Sequence, residues 1–446
     1  MKITFHTSAS VVIEDNGTKI LTDPWFVDGE FYGSWAHYPP YEFHPEDFED
    51  IDYIYVSHIH PDHCSVKTLE KLNSKIPILI HNFHFKYLRD QIQRLGYPVI
   101  ELNHNERVSL KNNLHIRILA ADNCNPEICK KYFGCGLAEK TFGSTSIDSM
   151  CVIDNENEVI VNTNDCPFEL GQSSASLIKQ EYKKIDFLLL GYSSATAYPQ
   201  CFELSLDELK KSQHDIIQSF LSRGESYVNL LKPKYFMPFA GRYVLAGKNH
   251  HLTWKKATPE LEEAVEYFNN SPNIDHNHNK CIILNPKSSF DITSEKFSSS
   301  YTPISIEEQK KYVTNVLSKH KYDYEYDDKP TLQEISNLIP KSFKRFEEKR
   351  KQLNFSSETK IVIDLPEEHF LIISADGNEY EISSRNNFPF QKFLQIQTDS
   401  KLLKRLLLGP KFAHWNNAEI GSHLKFKRVP NFYERGLFYC LNFFHS

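Results

Sequence analysis

The sequence predicts an α/β fold over residues 1–285, followed by a helical connector over 286–355 and a smaller α+β region over 356–446. Three observations carry that prediction. In the first part, short apolar runs alternate with amphipathic stretches, as expected when helices cover a layered sheet. A histidine-rich loop, Val56-Ser57-His58-Ile59-His60-Pro61-Asp62-His63, directly follows the apolar run Ile51–Val56. Beyond about Pro286 the composition shifts to Ser, Lys and Glu, and two helical patterns then give way to a meander of short strands.

Taken in order, Ile3–Phe5, Ser10–Ile13 and Lys19–Leu21 read as strands, with Asp15-Asn16-Gly17 as the turn of a hairpin. Residues Trp25 to Tyr41 hold Phe26, Phe31, Tyr32, Trp35, Tyr38 and Pro39-Pro40. This aromatic loop reads both as a lid on the core and as a wall that touches substrate. A short helix is expected over Val66–Leu72, then strand, helix and strand at Ile76–Ile80, Phe85–Leu95 and Val99–Leu102. Leu114–Ala121 is a further strand, and Met150–Ile153 with Val159–Asn162 form a hairpin that ends in Thr163-Asn164-Asp165-Cys166. Ile185–Leu190 is a buried strand followed by a small-residue loop containing Tyr192, fit for a ligand rim. A long helix reaches Leu231, and the next strand runs into Pro238-Phe239-Ala240-Gly241-Arg242. In the connector, helices are expected at Ile306–Ser318 and Leu332–Leu353. Strands at Ile361–Ile363, His369–Ser374, Tyr380–Ile382 and Phe393–Ile396, a Leu-rich helix Ser400–Leu408 and an aromatic terminal helix Tyr433–Phe444 complete the chain.

Histidine and aspartate alternating at the end of a strand are what a metal ion requires. An extended loop lets His58 and His60 reach one ion while Asp62 and His63 turn to a neighbouring position, and imidazole with carboxylate suits zinc, iron or manganese. Asp165, at a strand terminus, is a further candidate ligand. No histidine occurs between His115 and His214; the carboxylates of Asp148 and Glu127 and the imidazoles of His250 and His251 are further candidate donors. Trading imidazole for carboxylate makes a site harder and more anionic, which favours iron or manganese over zinc. Asp148 also reads as a strand cap. Arg242 and Lys248 follow the strand that ends at Pro238 and Phe239, and Arg242 suits a bidentate hold on phosphate.

The net charge of −7 from interspersed acidic and basic residues argues against a broad nucleic-acid-binding face. Nine cysteines without a C-x-x-C pair read as reduced thiols; Cys124, Cys129 and Cys135 match no common zinc spacing, and Cys64 reads as packing. No apolar run approaches the roughly 18–20 residues of a membrane span, and the start of the chain lacks a signal-peptide pattern, so a cytoplasmic protein without membrane association is expected.

The order Asp23 after an early strand, then His58-x-His60-x-Asp62-His63, then Asp165, resembles the metallo-β-lactamase fold superfamily. The resemblance implies a four-layer αβ/βα sandwich and a centre of two divalent metal ions. Asp23-Pro24-Trp25, Gly33-Ser34-Trp35 through Tyr38-Pro39-Pro40, Asn162 to Cys166 and Pro238 to Gly241 together are similar to the catalytic domain of the CMP-N-acetylneuraminate hydroxylases, which receive electrons through a Rieske iron–sulfur domain. No Rieske motif occurs in this sequence. The chain departs from the superfamily where its third and fifth motifs place histidine; the latter position is Ala240. The C-terminal region weakly resembles a sterol-carrier-protein-like module, which implies dimerisation or a cover over the active site.

The reading is therefore a dinuclear-iron oxygenase that hydroxylates an anionic, nucleotide-linked sugar-like small molecule and draws electrons from an external donor. Its alternative is a zinc- or manganese-dependent hydrolase of a phosphoester or acyl bond, with Asp62 orienting the attacking water. A non-catalytic binding module is the third. Trp35, Tyr192, Arg242 and Lys248 are the expected substrate contacts.

Overall fold

The computed structural model describes residues 1–121, 148–377, 379–384 and 390–446. Two sheets face each other. The first has eight strands in the order Lys296–Phe297, Ser289–Asp291, Lys2–Thr7, Ser10–Asp15, Thr18–Thr22, Tyr53–Tyr55, Ile78–His81 and Val99–Leu102. The second has seven, in the order Lys280–Cys281, Tyr235–Phe239, Phe187–Gly191, Val159–Asn162, Ser149–Asp154, His115–Ala120 and Val108–Ser109.

The hairpin forms as expected: Asp15 pairs with Thr18, leaving Asn16 and Gly17 as a two-residue loop, both at positive φ. That is the backbone a twisted hairpin needs, and Asn and Gly adopt it with least strain. Strand alternation then sorts side chains between layers. Cys151 and Ile153 enter the core between the sheets, with Ile3, Ile13, Tyr55, Leu79, Ile116 and Phe187. Their neighbours Met150 and Val152 face outward into a second core, under the helices Phe168–Glu181, Leu206–Leu231 and Leu261–Asn270. The other sheet is covered by Val66–Leu69 and Tyr87–Arg94, packed through Leu69, Leu88 and Ile92. The result is the expected four-layer αβ/βα sandwich.

Several elements differ from expectation. The helix Phe168–Glu181 was not foreseen, because its buried residues Leu170, Gly171, Ser174, Ala175 and Ile178 include three small ones that blur the apolar stripe. The stretch after Pro286 opens with strands and not helices, since Ser289–Asp291 pairs with Lys2–Thr7 at the edge of the first sheet. The helix expected over Leu332–Leu353 is two, Leu332–Ser336 and Ile339–Gln352. Pro340 lacks the N–H that a continuous helix would use and sits in the first turn of the second. The terminal helix is Arg435–Leu441, and the short helix Trp415–Ile420 was not anticipated.

The C-terminal sheet has the order Tyr380–Ser383, His369–Ser374, Lys360–Leu365, Phe393–Gln397 and Lys425–Val429. Its core is continuous with the aromatic loop: Trp25, Phe31 and Trp35 share one cluster with Ile361, Leu403, Trp415 and Phe444. Trp35 stacks on Tyr243, centroids 3.4 Å apart, and donates from Nε1 to the carbonyl of Ile420 at 3.3 Å. Meanwhile Tyr38, Pro39 and Pro40 line a cavity. The loop thus packs on the core and also lines a cavity. No helix among the described residues is long and apolar enough to cross a membrane.

Candidate metal centre

The site forms where strand ends of the two sheets meet. From the first sheet, the chain leaves Tyr53–Tyr55 and enters the histidine loop, with Ser57, His58 and His63 buried. From the second, Asp148 precedes Ser149–Asp154 and Asp165 follows Val159–Asn162. Ser149 holds the halves in register: its Oγ donates to the carbonyl of Ser57 at 2.7 Å and lies 3.0 Å from the Tyr55 hydroxyl.

Six expected ligands converge. His58 Nε2 lies 2.9 Å from His60 Nδ1, 3.9 Å from Asp148 Oδ1 and 4.0 Å from Asp165 Oδ2. His63 Nε2 lies 3.4 Å from Asp165 Oδ2 and 3.5 Å from Asp62 Oδ2. One ligand atom each from His58, His63 and Asp165 lies within 4.8 Å of the others, the spacing at which a single ion can be shared.

The far ring nitrogens are held. His58 Nδ1 is 2.9 Å from Ser57 Oγ, and His63 Nδ1 is 3.1 Å from Asp23 Oδ2. Asp23 in turn accepts from the Ser57 amide at 2.7 Å and the Ser57 hydroxyl at 2.9 Å. Asp23, fully buried, therefore supports the loop from behind while both Nε2 atoms point into the site, the arrangement by which outer partners fix ligand orientation.

The electrostatics call for a cation. Burial pushes the Asp62 carboxyl up to about 6, reinforced by the neighbouring Asp165. Burial opposes charge on His63 too, yet Asp165, Asp62 and Asp23 together hold its imidazole well above the ordinary range. His58 and His60 move the other way, held neutral by burial and by their cationic neighbour. A divalent ion binds neutral imidazole and ionised carboxylate and would take the place of the proton that His63 holds among these carboxylates, so the donor set fits one. Beside Asp165, both amide atoms of Asn164 are buried without a hydrogen-bond partner. The backbone around the centre is also strained: Ser8, Asp23, Asn164 and Ala240, all non-glycine, have φ of 45°, 39°, 45° and 53°.

One cavity adjoins the centre and a second adjoins the first. A small pocket beside Asp62 and Asp165 is walled by Trp35, Tyr243 and Arg242. A larger one, of about 430 Å³, is lined by Tyr38, Tyr192, Phe239 and Tyr301 among others. They share Ser8, Ala240, Gly241 and Arg242. Arg242 Nε and Nη2 are buried without a hydrogen-bond partner, the nearest carboxylate oxygen being Glu260 Oε2 at 3.9 Å.

Other expected residues lie elsewhere. Lys248 pairs with Asp399 at 3.0 Å and Glu325 at 3.7 Å and lines neither cavity, because its ammonium reaches toward the C-terminal region and over Tyr324. His250 and His251 sit edge-to-face in the 3-10 stretch Gly247–Lys255, His250 Nδ1 at 3.0 Å from the Gly247 carbonyl. Burial disfavours charge on His251, and the nearby Lys255 and Lys425 add to that effect. Glu127 and the three clustered cysteines lie outside the described residues. Cys64 is core packing, its thiol pushed up to about 12 by burial.

Two contributors escaped sequence reasoning. Ser57 was visible only as part of the loop. Asn416, whose Oδ1 is 3.2 Å from His60 Nε2, lies 356 residues away and carries no local signal.

Residues 2–127 match the model of the Beta-lactamase superfamily domain, in agreement with the resemblance to the metallo-β-lactamase fold. The chain is 24% identical over 303 residues to the cytidine monophosphate-N-acetylneuraminic acid hydroxylase of Asterias rubens, covering 61% of this chain and 40% of that one. It is 23% identical over 332 residues to a protein of Mycobacterium tuberculosis named for a Rieske 2Fe-2S iron–sulfur centre, covering 73% of this chain and 60% of that one. The chain thus spans less than two thirds of the length of these curated relatives. Among solved structures, an isothiocyanate hydrolase from Delia radicum gut bacteria aligns with a TM-score of 0.44 at 14% identity, covering 65% of this chain and 99% of that one. The sterol-carrier-like reading of the C-terminal region is not confirmed by these matches.

Proposed function

We propose that this chain is a metal-dependent enzyme that hydroxylates an anionic small molecule, with iron as the favoured metal and electrons drawn from a separate donor. The observation that carries this reading is Asp148 Oδ1 at 3.9 Å from His58 Nε2, which brings a third carboxylate to the histidines beside Asp62 and Asp165. Three imidazoles and three carboxylates form a harder set than zinc prefers. The likeness to relatives named hydroxylase or for a Rieske centre supports the same reading.

A bound divalent pair supplies Lewis acidity and, with dioxygen and electrons, the oxidising chemistry. The chain's own residues do the rest. His58, His63 and Asp165 would hold one ion, with His60, Asp62 and Asp148 completing the centre. Arg242 has unpaired N–H donors on the wall shared by both cavities and would bind the anionic group in bidentate fashion. Tyr38, Tyr192 and Tyr301 offer aromatic faces to the body of the molecule. The stacked pair Trp35 and Tyr243 closes the small pocket and keeps water from the reacting atoms.

A hydrolase is the second reading, favoured by Asp62, which lies against His63 with its carboxyl near neutrality and would orient and deprotonate a water. Metal content separates the readings. Loading the metal-free protein with iron(II) without oxygen, then admitting oxygen, is expected to change visible absorption and consume oxygen. Stoichiometric zinc with no response to oxygen would establish the hydrolase, and failure to bind any metal would leave a binding module.

A further inference from the structure

The observation is a hydrogen bond between the two ends of the chain. His60 differs from its neighbours in the ring atom it offers: its Nδ1, and not its Nε2, lies 2.9 Å from His58 Nε2. Its Nε2 points away, 3.2 Å from Oδ1 of Asn416. An amide oxygen only accepts, so Nε2 carries the proton and Nδ1 keeps its lone pair for the centre.

Asn416 lies on the helix Trp415–Ile420, and that helix is pinned at several points. The His414 side chain caps its first turn, accepting from the Asn416 amide at 3.3 Å. The His414 amide donates to the Tyr32 hydroxyl at 2.7 Å. Trp415 Nε1 donates to the Phe444 carbonyl at 2.9 Å, and the Ile420 carbonyl accepts from Trp35. Just beyond, His423 Nε2 donates to the Phe31 carbonyl at 2.7 Å, and Asn249 Nδ2 to the Ser422 carbonyl at 2.8 Å. Beyond the cap, the ties run to the aromatic loop, the 3-10 stretch or the end of the chain past the terminal helix, so the position of Asn416 is fixed by the docking of the whole C-terminal region.

We infer that Asn416 is a positioning residue for the metal centre: it fixes the tautomer and ring orientation of His60, so the C-terminal region completes a site whose ligands all lie before residue 166. The inference rests on the reading of His58, His60, His63 and Asp165 as metal ligands. Outer partners of a ligating histidine typically contribute ten- to a hundred-fold to metal affinity. Lys248 strengthens the same docking through Asp399.

The test measures zinc(II) affinity of the metal-free full chain by competition with a chromophoric chelator. Wild type, Asn416→Leu, Asn416→Asp and His60→Ala are compared, with the metal-free melting temperature of each. Leucine keeps the shape and removes the acceptor, while aspartate keeps both. The expected result is an affinity loss of about ten- to a hundred-fold in Asn416→Leu, wild-type or tighter binding in Asn416→Asp, and loss of the site in His60→Ala. If Asn416→Leu also melts earlier, the aspartate variant decides: binding as weak as the leucine variant overturns the inference, and retained binding upholds it. Wild-type affinity in Asn416→Leu beside an empty His60→Ala overturns the inference alone. Full zinc occupancy in His60→Ala overturns the reading of the site and the inference with it.

Discussion

Two of the groups of neighbouring histidines in this chain have surroundings that could hardly differ more. His58, His60 and His63 sit at the mouth of two facing sheets with Asp62, Asp148 and Asp165 around them. His250 and His251 lie in a 3-10 stretch where lysines are the charged neighbours. In the first set His58 and His63 are buried and oriented from behind by Ser57 and Asp23, with carboxylates as the charged company. Among the described residues the second belongs to no cluster of histidine and carboxylate spaced to hold an ion. Histidine density is therefore a poor marker by itself; the anionic company and the hydrogen bond on the far ring nitrogen mark a ligand.

The contrast is broken most severely by His60→Ala, which is expected to lower metal affinity by more than about a hundred-fold, beyond the loss of an outer partner alone. The loop adds little to the core, so circular dichroism should remain native while elemental analysis reports an empty site. Retained metal would erase the distinction between the two groups.

Next in size is Arg242→Ala. Removing hydrogen bonds to a charged partner costs about 1.5–3 kcal/mol, so the dissociation constant of a nucleoside monophosphate should rise roughly ten- to a hundred-fold. Isothermal titration measures it, and unchanged affinity would take Arg242 out of the site.

Asp148→His tests whether carboxylate content sets metal choice. Protein expressed in medium with equal iron and zinc should shift its bound ratio toward zinc on the order of tenfold. If Asp148 acts only as a strand cap, the ratio will hold and the melting curve will report a loss of about 0.5–2 kcal/mol instead.

The smallest effect sharpens the contrast from the other side. His250→Ala and His251→Ala are expected to leave metal stoichiometry at the wild-type value, and a drop in either would restore them as ligands.

What could be read beforehand follows from range. Strands, the Asn16-Gly17 hairpin and the helix Ser400–Leu408 depend on local pattern, and they were legible. So was the histidine loop, because its spacing is compressed into six residues. Asp148 and Asp165 were legible only as candidates, since strand-terminal aspartates also serve as caps. The role of Lys248 was misjudged because its partners Asp399 and Glu325 are distant in sequence. Asn416 was invisible for the same reason, and the helix bearing it is too short to show a period.

The shared core of the aromatic loop and the C-terminal region has a consequence for biosynthesis. Trp25, Phe31 and Trp35 leave the ribosome early, yet their burial requires Leu403, Trp415 and Phe444. For most of translation this cluster is incomplete, and its open side is surface on which a nascent chain associates or engages a chaperone. Pairing of His60 with Asn416 must wait equally long. Stop codons inserted before residue 415 should yield products retained by chaperones, with maturation of the centre occurring as a post-translational event.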